Sequence, residues 1–257
     1  MSSSQRSGKD IFSRLSAGYA KFRPSYPPEL YRYLLGTVEE TSMAWDCGTG
    51  NGQVAVELAK SFSFVSATDI SRDQLKHAGI RDNIAYSLAR AEDAPFPGGV
   101  FDLITVAQAL HWFAFDKFFH EANRTLKPHG VLAVFGYERC TIDPSIDRVL
   151  DHLHDEIVGP YWDDERRHVE TRYEHIPFPY KELTTPSFAI SYDWTLDQLL
   201  GYIGTWSAVQ HFIDRNASSP VDRIIGDLRR NWSGDEVKKI TFPVFLRAGV
   251  KASRKPA

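Results

Sequence analysis

The chain has 257 residues, 42% hydrophobic and 25% charged, the mixture of an ordinary globular protein with enough length for a sizeable core. Lys and Arg total 30 against 33 Asp and Glu, a formal net charge of -3, so nothing pulls the molecule toward a phosphate backbone and nucleic acid is not an expected partner. Its cysteines, Cys47 and Cys140, are too few for a disulfide framework or a multi-cysteine metal site, and no apolar run reaches the roughly 18 residues a membrane helix needs. A cytoplasmic protein without a metal or a membrane anchor is the expectation.

Residues 1–10, rich in serine and charge, are expected to form a disordered tail, and residues 11–257 a single domain. The segment Pro28 to Gly36 has proline in its first turn, Leu30 and Leu34 four apart, and glycine at its stop, the pattern of a short helix. Ser42 to Asp46 predicts a strand that runs through Cys47 into Gly48-Thr-Gly50-Asn-Gly52, after which Gln53 to Lys60 places Val54 and Leu58 on one helical face. Phe64 to Asp69 predicts a second strand, and Ser71 with Gln74 has capping-box spacing at the start of another helix. A third strand is expected over Ile84–Leu88 and a buried fourth over Phe101–Ala107. Asp116 is placed to cap a helix through Phe119, Ala122 and Leu126, which ends near Lys127-Pro-His-Gly130 before a fifth strand, Val131–Tyr137. Strands alternating with helices of this length argue for an α/β fold with a mostly parallel sheet covered on both faces.

From Glu138 to Pro186 the rhythm breaks. This stretch, about residues 138–186, is charged and aromatic without a strand period, and it reads as an insertion over the sheet edge, in position to cover an active site. Beyond it, Phe188–Trp194 predicts a strand, Leu196–Ile213 and Val221–Asn231 predict helices, and Ile240–Gly249 a last strand, which Pro243 pushes toward an edge or a bulge.

Gly48 and Gly50 stand where a strand must turn sharply into a helix, and glycine permits both positive φ and close approach of a ligand to bare backbone. A dinucleotide site wants G-x-G-x-x-G; here the third glycine comes one position early, and Asp46 stands two residues before the first. A carboxylate there opposes a pyrophosphate but suits a ligand with an ammonium group. Asp69, 23 residues after Asp46 (69 minus 46), is placed to accept bonds from both hydroxyls of a ribose. The bland readings are a ligand-free turn for the glycines and a helix N-cap for Asp69, a role that Ser71 fills better.

At these residues the chain resembles the class I S-adenosylmethionine-dependent methyltransferases with a type 11 methyltransferase domain. Asp46-Cys-Gly-Thr-Gly-Asn-Gly52 is similar to their first motif, with Asp69 as the ribose-binding acid. Ala91-Glu92-Asp-Ala-Pro-Phe96 followed by Phe101-Asp102 resembles the adenine-side loop, Gln108-Ala-Leu-His111-Trp-Phe113 the motif closing the fourth strand, and Arg124 to Gly130 the later helix-to-strand turn. One departure is Arg90, where many relatives carry an acid that holds the adenine amine; backbone groups are expected to replace it. The resemblance implies a Rossmann-like, doubly wound, mostly parallel seven-stranded sheet whose last strand is antiparallel. It also implies S-adenosyl-L-methionine as cofactor and S-adenosyl-L-homocysteine as product. The implied cofactor pocket takes Asp46, Gly48, Gly50, Asp69 and Ile70, the adenine-side Ala91 and Glu92, and Gln108, with Tyr19 and Arg23 closing over the amino-acid end.

Tyr19 to Pro27, Ala107 to Phe113 and Thr205 to Gln210 are similar to the branch that includes trans-aconitate methyltransferase, which implies O-methylation of a small carboxylic acid. The Asp-Pro-Pro-Tyr motif associated with N-methylation is absent. A carboxylate is ionised at neutral pH and needs only orienting partners, for which Arg23, His111 and Tyr19 are candidates. With a hydroxyl nucleophile His111 would instead be the general base. A structural role for His111 beside Trp112, a surface pairing for Arg23, and an RNA or protein methyltransferase that docks its target on 138–186 stay open as alternatives.

Overall fold

The computed structural model describes residues 22–252; the expected tail at 1–10 and Tyr19 lie outside that range. In chain order the elements are α1 (Pro28–Leu35), β1 (Met43–Cys47), α2 (Gln53–Leu58), β2 (Phe64–Asp69), α3 (Arg72–Lys76), β3 (Ile84–Leu88), β4 (Phe101–Ala107), α4 (Phe115–Thr125) and β5 (Leu126–Tyr137). They continue with α5 (Pro144–Asp151), α6 (Arg167–Glu170), β6 (Lys181–Glu182), β7 (Phe188–Trp194), α7 (Leu196–Ile203), α8 (Ser207–Asn216), α9 (Ile225–Asn231) and β8 (Lys238–Val250).

The strands form one sheet in the order β3-β2-β1-β4-β5-β8-β6, with β7 also paired to β8. β1 to β5 are parallel neighbours, whereas β8 runs antiparallel to both β5 and β6. This is the Rossmann-like, doubly wound arrangement with an antiparallel last strand, enlarged to eight strands by the two-residue β6, which lies in the segment without a strand period. The central β1 and β4 are buried almost throughout, as parallel strands covered on both faces must be.

The chain divides into two compact units. One comprises Ser25–Glu138, Arg167–Phe188 and the described residues from Val244 on. Its core stacks Trp45, Phe96 and Phe101, with Trp45 Nε1 donating to Thr68 Oγ1 at 2.9 Å. Against it α4 buries Phe118, Phe119, Ala122 and Thr125, one stripe at helical spacing. The other unit comprises the described residues up to Pro24, Arg139–Arg166 and Ala189–Pro243. Its interior is aromatic: Trp162 lies 4.8 Å from His154 and 5.8 Å from Trp206, and Tyr202 packs on Phe242 at 5.1 Å.

Four local expectations are corrected. Asp116 does not cap α4, which begins one residue earlier at Phe115 with Ala114 as the cap; Asp116 lies in the first turn. Leu126 belongs to β5, not to α4, because it pairs with Phe101 across a register shift. The expected helix Leu196–Ile213 is two helices: Gly204 caps α7, and Thr205 turns its hydroxyl onto Tyr202 O at 2.7 Å. Pro243 does not mark an edge: it falls one residue before the paired stretch Val244–Val250, so its missing N–H removes no bond to β5. Among the described residues no helix is long and apolar enough to cross a membrane.

Candidate functional site

The carboxyl ends of β1, β2 and β4 converge on the glycine turn, the place where open α/β sheets leave a crevice for ligands. Asp46, the penultimate residue of β1, is 1% exposed. Thr105 Oγ1 donates to its Oδ1 at 2.8 Å, Thr49 Oγ1 donates to its Oδ2, and the Ala55 N–H also donates to it. Burial pushes its carboxyl from the ordinary 3.8 up to about 6, against these hydrogen bonds, and the nearby Asp69 charge pushes the same way. The acid therefore has a local task as well: it ties the turn to α2 and to β4.

The two glycines answer to different needs. Gly48 has φ +70°, and a Cβ there would lie 2.7 Å from the Ala109 Cβ, so its bareness is dictated by packing inside the protein. Gly50 has φ +56°, and a Cβ would meet only Gln74 Oε1 at 3.9 Å, so the space beside it is open. The Gly48 and Thr49 N–H groups both donate to Thr68 O at 2.9 Å. The Gly50 N–H donates to Asp69 Oδ2 at 2.8 Å, and the Ser71 N–H to Asp69 Oδ1 at 2.7 Å. Burial raises the Asp69 carboxyl above its ordinary range in spite of these bonds. Asp69 is thus the clasp of the turn: the Ile70 N–H donates to it as well, and three backbone donors leave about one of its four acceptor sites for another donor. It also leaves the capping box half built: Ser71 Oγ accepts from Gln74 N at 3.3 Å, but the Ser71 N–H is taken by Asp69. Ile70 beside it is 49% exposed.

On the adjoining loop Ala91 is buried, and Glu92 Oε1 accepts from the Ala114 N–H at 2.8 Å while Oε2 lies 3.4 Å from Arg90 Nε. Arg90, the departure from the family pattern, is therefore turned onto Glu92.

At the end of β4 the backbone of Gln108 adopts φ +51°, a strained conformation for a side-chain-bearing residue. Its N–H continues the ladder to Phe135 O at 2.9 Å, and its Nε2 donates to Tyr137 O at 3.0 Å. Its Oε1 is buried with no hydrogen-bond partner among the described residues, next to Gly136, where a Cβ would intrude to 2.7 Å. The turn Leu110–Trp112 then buries His111, whose Nδ1 is hydrogen-bonded to the Tyr173 hydroxyl at 2.8 Å, with the rings stacked at 6.1 Å. Tyr173 is fully buried, and both it and Arg172 have positive φ, +59° and +52°. No motif, period or spacing in the sequence signals Tyr173; only the tertiary structure brings it to His111, 62 residues away.

The structure thus joins Asp46, Gly48, Gly50 and Asp69 through one hydrogen-bonded turn, and places Gln108 and His111 on the same strand end. Arg23 belongs to the other unit, where its guanidinium donates to Thr205 O at 3.2 Å. Tyr19 is outside the described residues. Among the described residues neither Asp46 nor Asp69 takes part in an ion pair with Lys, Arg or His. A buried and a partly buried carboxylate, an open glycine and an amide oxygen without a partner among the described residues are an acceptor set suited to a cationic nucleoside bearing an ammonium group.

The methyltransferase domain family matches residues 45–134, which run from β1 to β5. A protein of Dictyostelium discoideum designated a methyltransferase is 31% identical over 245 residues, covering 92% of this chain and 93% of its own length. A solved structure from Anaeromyxobacter dehalogenans, assigned as a type II methyltransferase, superposes with a TM-score of 0.84 at 37% identity, covering 91% of this chain and 100% of its own. The cyclase SpnF superposes at 0.53 with 16% identity over 98% of this chain and 96% of its own, a likeness of fold alone. With the glycine turn, its two acids and the strand order all in the family's arrangement, this chain belongs to the class I S-adenosylmethionine-dependent methyltransferases.

Proposed function

We propose that the chain binds S-adenosylmethionine on the Gly48–Gly50 turn and methylates an oxygen of a small carboxylic acid. The observation that carries the cofactor half is the pair of acids at the glycine turn, Asp46 buried and Asp69 partly buried, without an ion-pair partner among the described residues. A cation placed beside them lowers the free energy of their ionised forms. In this reading Asp69 holds the ribose through its remaining lone pair, Gly50 lets the nucleoside approach the backbone, and Gln108 Oε1 accepts from the ammonium group. When bound, the cofactor supplies a methyl group activated by its sulfonium.

The acceptor half rests on the resemblance at Ala107–Phe113. A carboxylate substrate needs no base. Transfer to it forms one O–C bond and breaks one S–C bond, the electron pair returns to sulfur, and no proton is released. The residues then have to hold the acid in line at about 3–3.5 Å and exclude water. Arg23 enters this reading through the sequence resemblance alone.

The test is direct. S-adenosylmethionine at a hundred times its Kd should stabilise the protein by about 2.7 kcal/mol, and one member of a panel of small acids should gain a methyl group by mass without acidifying the solution. Asp69→Ala should lose cofactor affinity by an order of magnitude or more while keeping most of its thermal stability. Turnover on RNA or protein with silence from every acid would replace the small-acid reading with a macromolecular one.

A further inference from the structure

We propose that β3, the open edge of the sheet, is a self-association surface: two copies of this chain pair their β3 strands antiparallel about a two-fold axis at Tyr86, giving a dimer with one continuous sheet. The inference holds whichever acceptor is methylated.

β3 stands at one end of the strand order, with β2 on its inner side. The Val65 N–H donates to Asn83 O and the Ala89 N–H to Asp69 O, so the odd-numbered residues of this segment face β2. The alternation of a ladder therefore turns the main-chain groups of Ile84, Tyr86 and Leu88 outward. The Ile84 N–H is taken by Arg81 O at 3.2 Å, which leaves its carbonyl; Tyr86 and Leu88 present both N–H and carbonyl.

Proteins blunt an open edge with charge, proline, a bulge or extreme shortness. At the opposite end of the sheet β6 is only two residues long, Lys181 and Glu182, both charged. β3 uses none of these devices. Its sequence, Ile-Ala-Tyr-Ser-Leu, is uncharged and pairs with β2 without a register shift. Leu88 is 54% exposed, and Ile80, on the loop that feeds the strand, is 86% exposed. The strand is also held in place, since the Tyr86 hydroxyl donates to Gly79 O at 2.7 Å.

The fitting occupant is a second copy, because the segment about Tyr86 is complementary to itself. A two-fold axis there sets outward-facing residues against outward-facing residues, as hydrogen-bonded antiparallel pairs require. Tyr86 then exchanges main-chain bonds with its counterpart, and each Leu88 N–H reaches the other copy's Ile84 carbonyl. Leu88 and Ile84 become a cross-strand apolar pair, which covers the exposed leucine. Asp82 and Arg90 lie equally far from Tyr86 on opposite sides, so each Asp82 meets the other copy's Arg90. Both charges are available. Asp82 is exposed and has no ion-pair partner among the described residues, and the Arg90 side chain is 58% exposed with Glu92 at 3.4 Å.

Sedimentation velocity of the full chain tests this. At about 50 µM most of it should run at twice the mass of one chain, the micromolar strength of a small interface. A monomer at that concentration leaves β3 to some other partner and overturns the proposal. Leu88→Lys charges the edge and should raise the dimer Kd about tenfold; a dimer that survives it unchanged uses another face, which also overturns the proposal. Asp82→Arg and Arg90→Asp each set like charges opposite one another and should weaken the dimer about fivefold, while the two together should restore it. Weakened single variants without restoration would show that these side chains do not meet and would sink the pairing. Circular dichroism checks that each variant is folded; if Leu88→Lys is not, the charge reversals decide.

Discussion

Asp46 shows how one residue can carry a fold constraint and a candidate binding role together. In the sequence it is an acid beside a glycine turn with no evident structural partner. In the structure its partners are Thr49, three residues on, and Thr105, on the neighbouring strand 59 residues away. The physical consequence is measurable. Its folded-state pKa, about 6, lies above the ordinary 3.8, so the folded protein holds a proton that the unfolded chain gives up. Stability therefore falls as pH rises across that window and is level above it. Relative to Asp46→Asn, which cannot ionise, the native chain should lose about 2 kcal/mol between pH 4 and pH 6.5 in urea titrations. A difference that stays constant with pH would show an ordinary aspartate. Gly48 and Gly50 make the complementary point, since identical letters two apart answer one to Ala109 and the other to open space.

At the scale of elements, α4 does more than cover the sheet. Its Glu121 and Arg124 form a two-bond ion pair that reaches the loop at residues 91–96: Glu121 accepts from the Ala94 N–H at 3.2 Å, and Arg124 donates to Phe96 O at 2.7 Å and Ala94 O at 3.2 Å. The Arg124 bonds hold the Glu121 carboxyl below its usual range. Arg124→Ala should cost about 1 kcal/mol of stability, the scale of a partly exposed network. It should also weaken cofactor binding severalfold and speed amide exchange over residues 91–96 while leaving β1 and β4 protected. Unchanged exchange in that loop would separate α4 from the site. The helix stripe at Phe118, Phe119 and Ala122 is legible from spacing alone, but the clip is not, because it depends on a loop folding back across 28 residues. The same limit explains Leu196–Ile213: apolar periodicity runs on through Gly204, and the break is decided by the local turn that Thr205 makes on Tyr202.

For the whole molecule, neither compact unit is a continuous piece of chain. β5 pairs with β8 at seven positions, Val131–Tyr137 with Val250–Val244, so the sheet closes only when the end of the chain returns. A chain cut after Glu138 keeps the whole matched family region but bares the outer edge of β5, and should be insoluble or unfolded by circular dichroism. A soluble, cooperative fragment would show that β1 to β5 suffice. By itself the sequence determined the α/β rhythm to Tyr137, the glycine turn with its two acids, and the membership those motifs announce, because strand burial, helix spacing and turn chemistry are local and leave their period in the letters. Only the tertiary structure decided which donors satisfy those acids, that β6 joins the sheet, and that Tyr173 meets His111. Each of these depends on a hydrogen bond or strand pairing between residues tens of positions apart, and such pairings have no period to read.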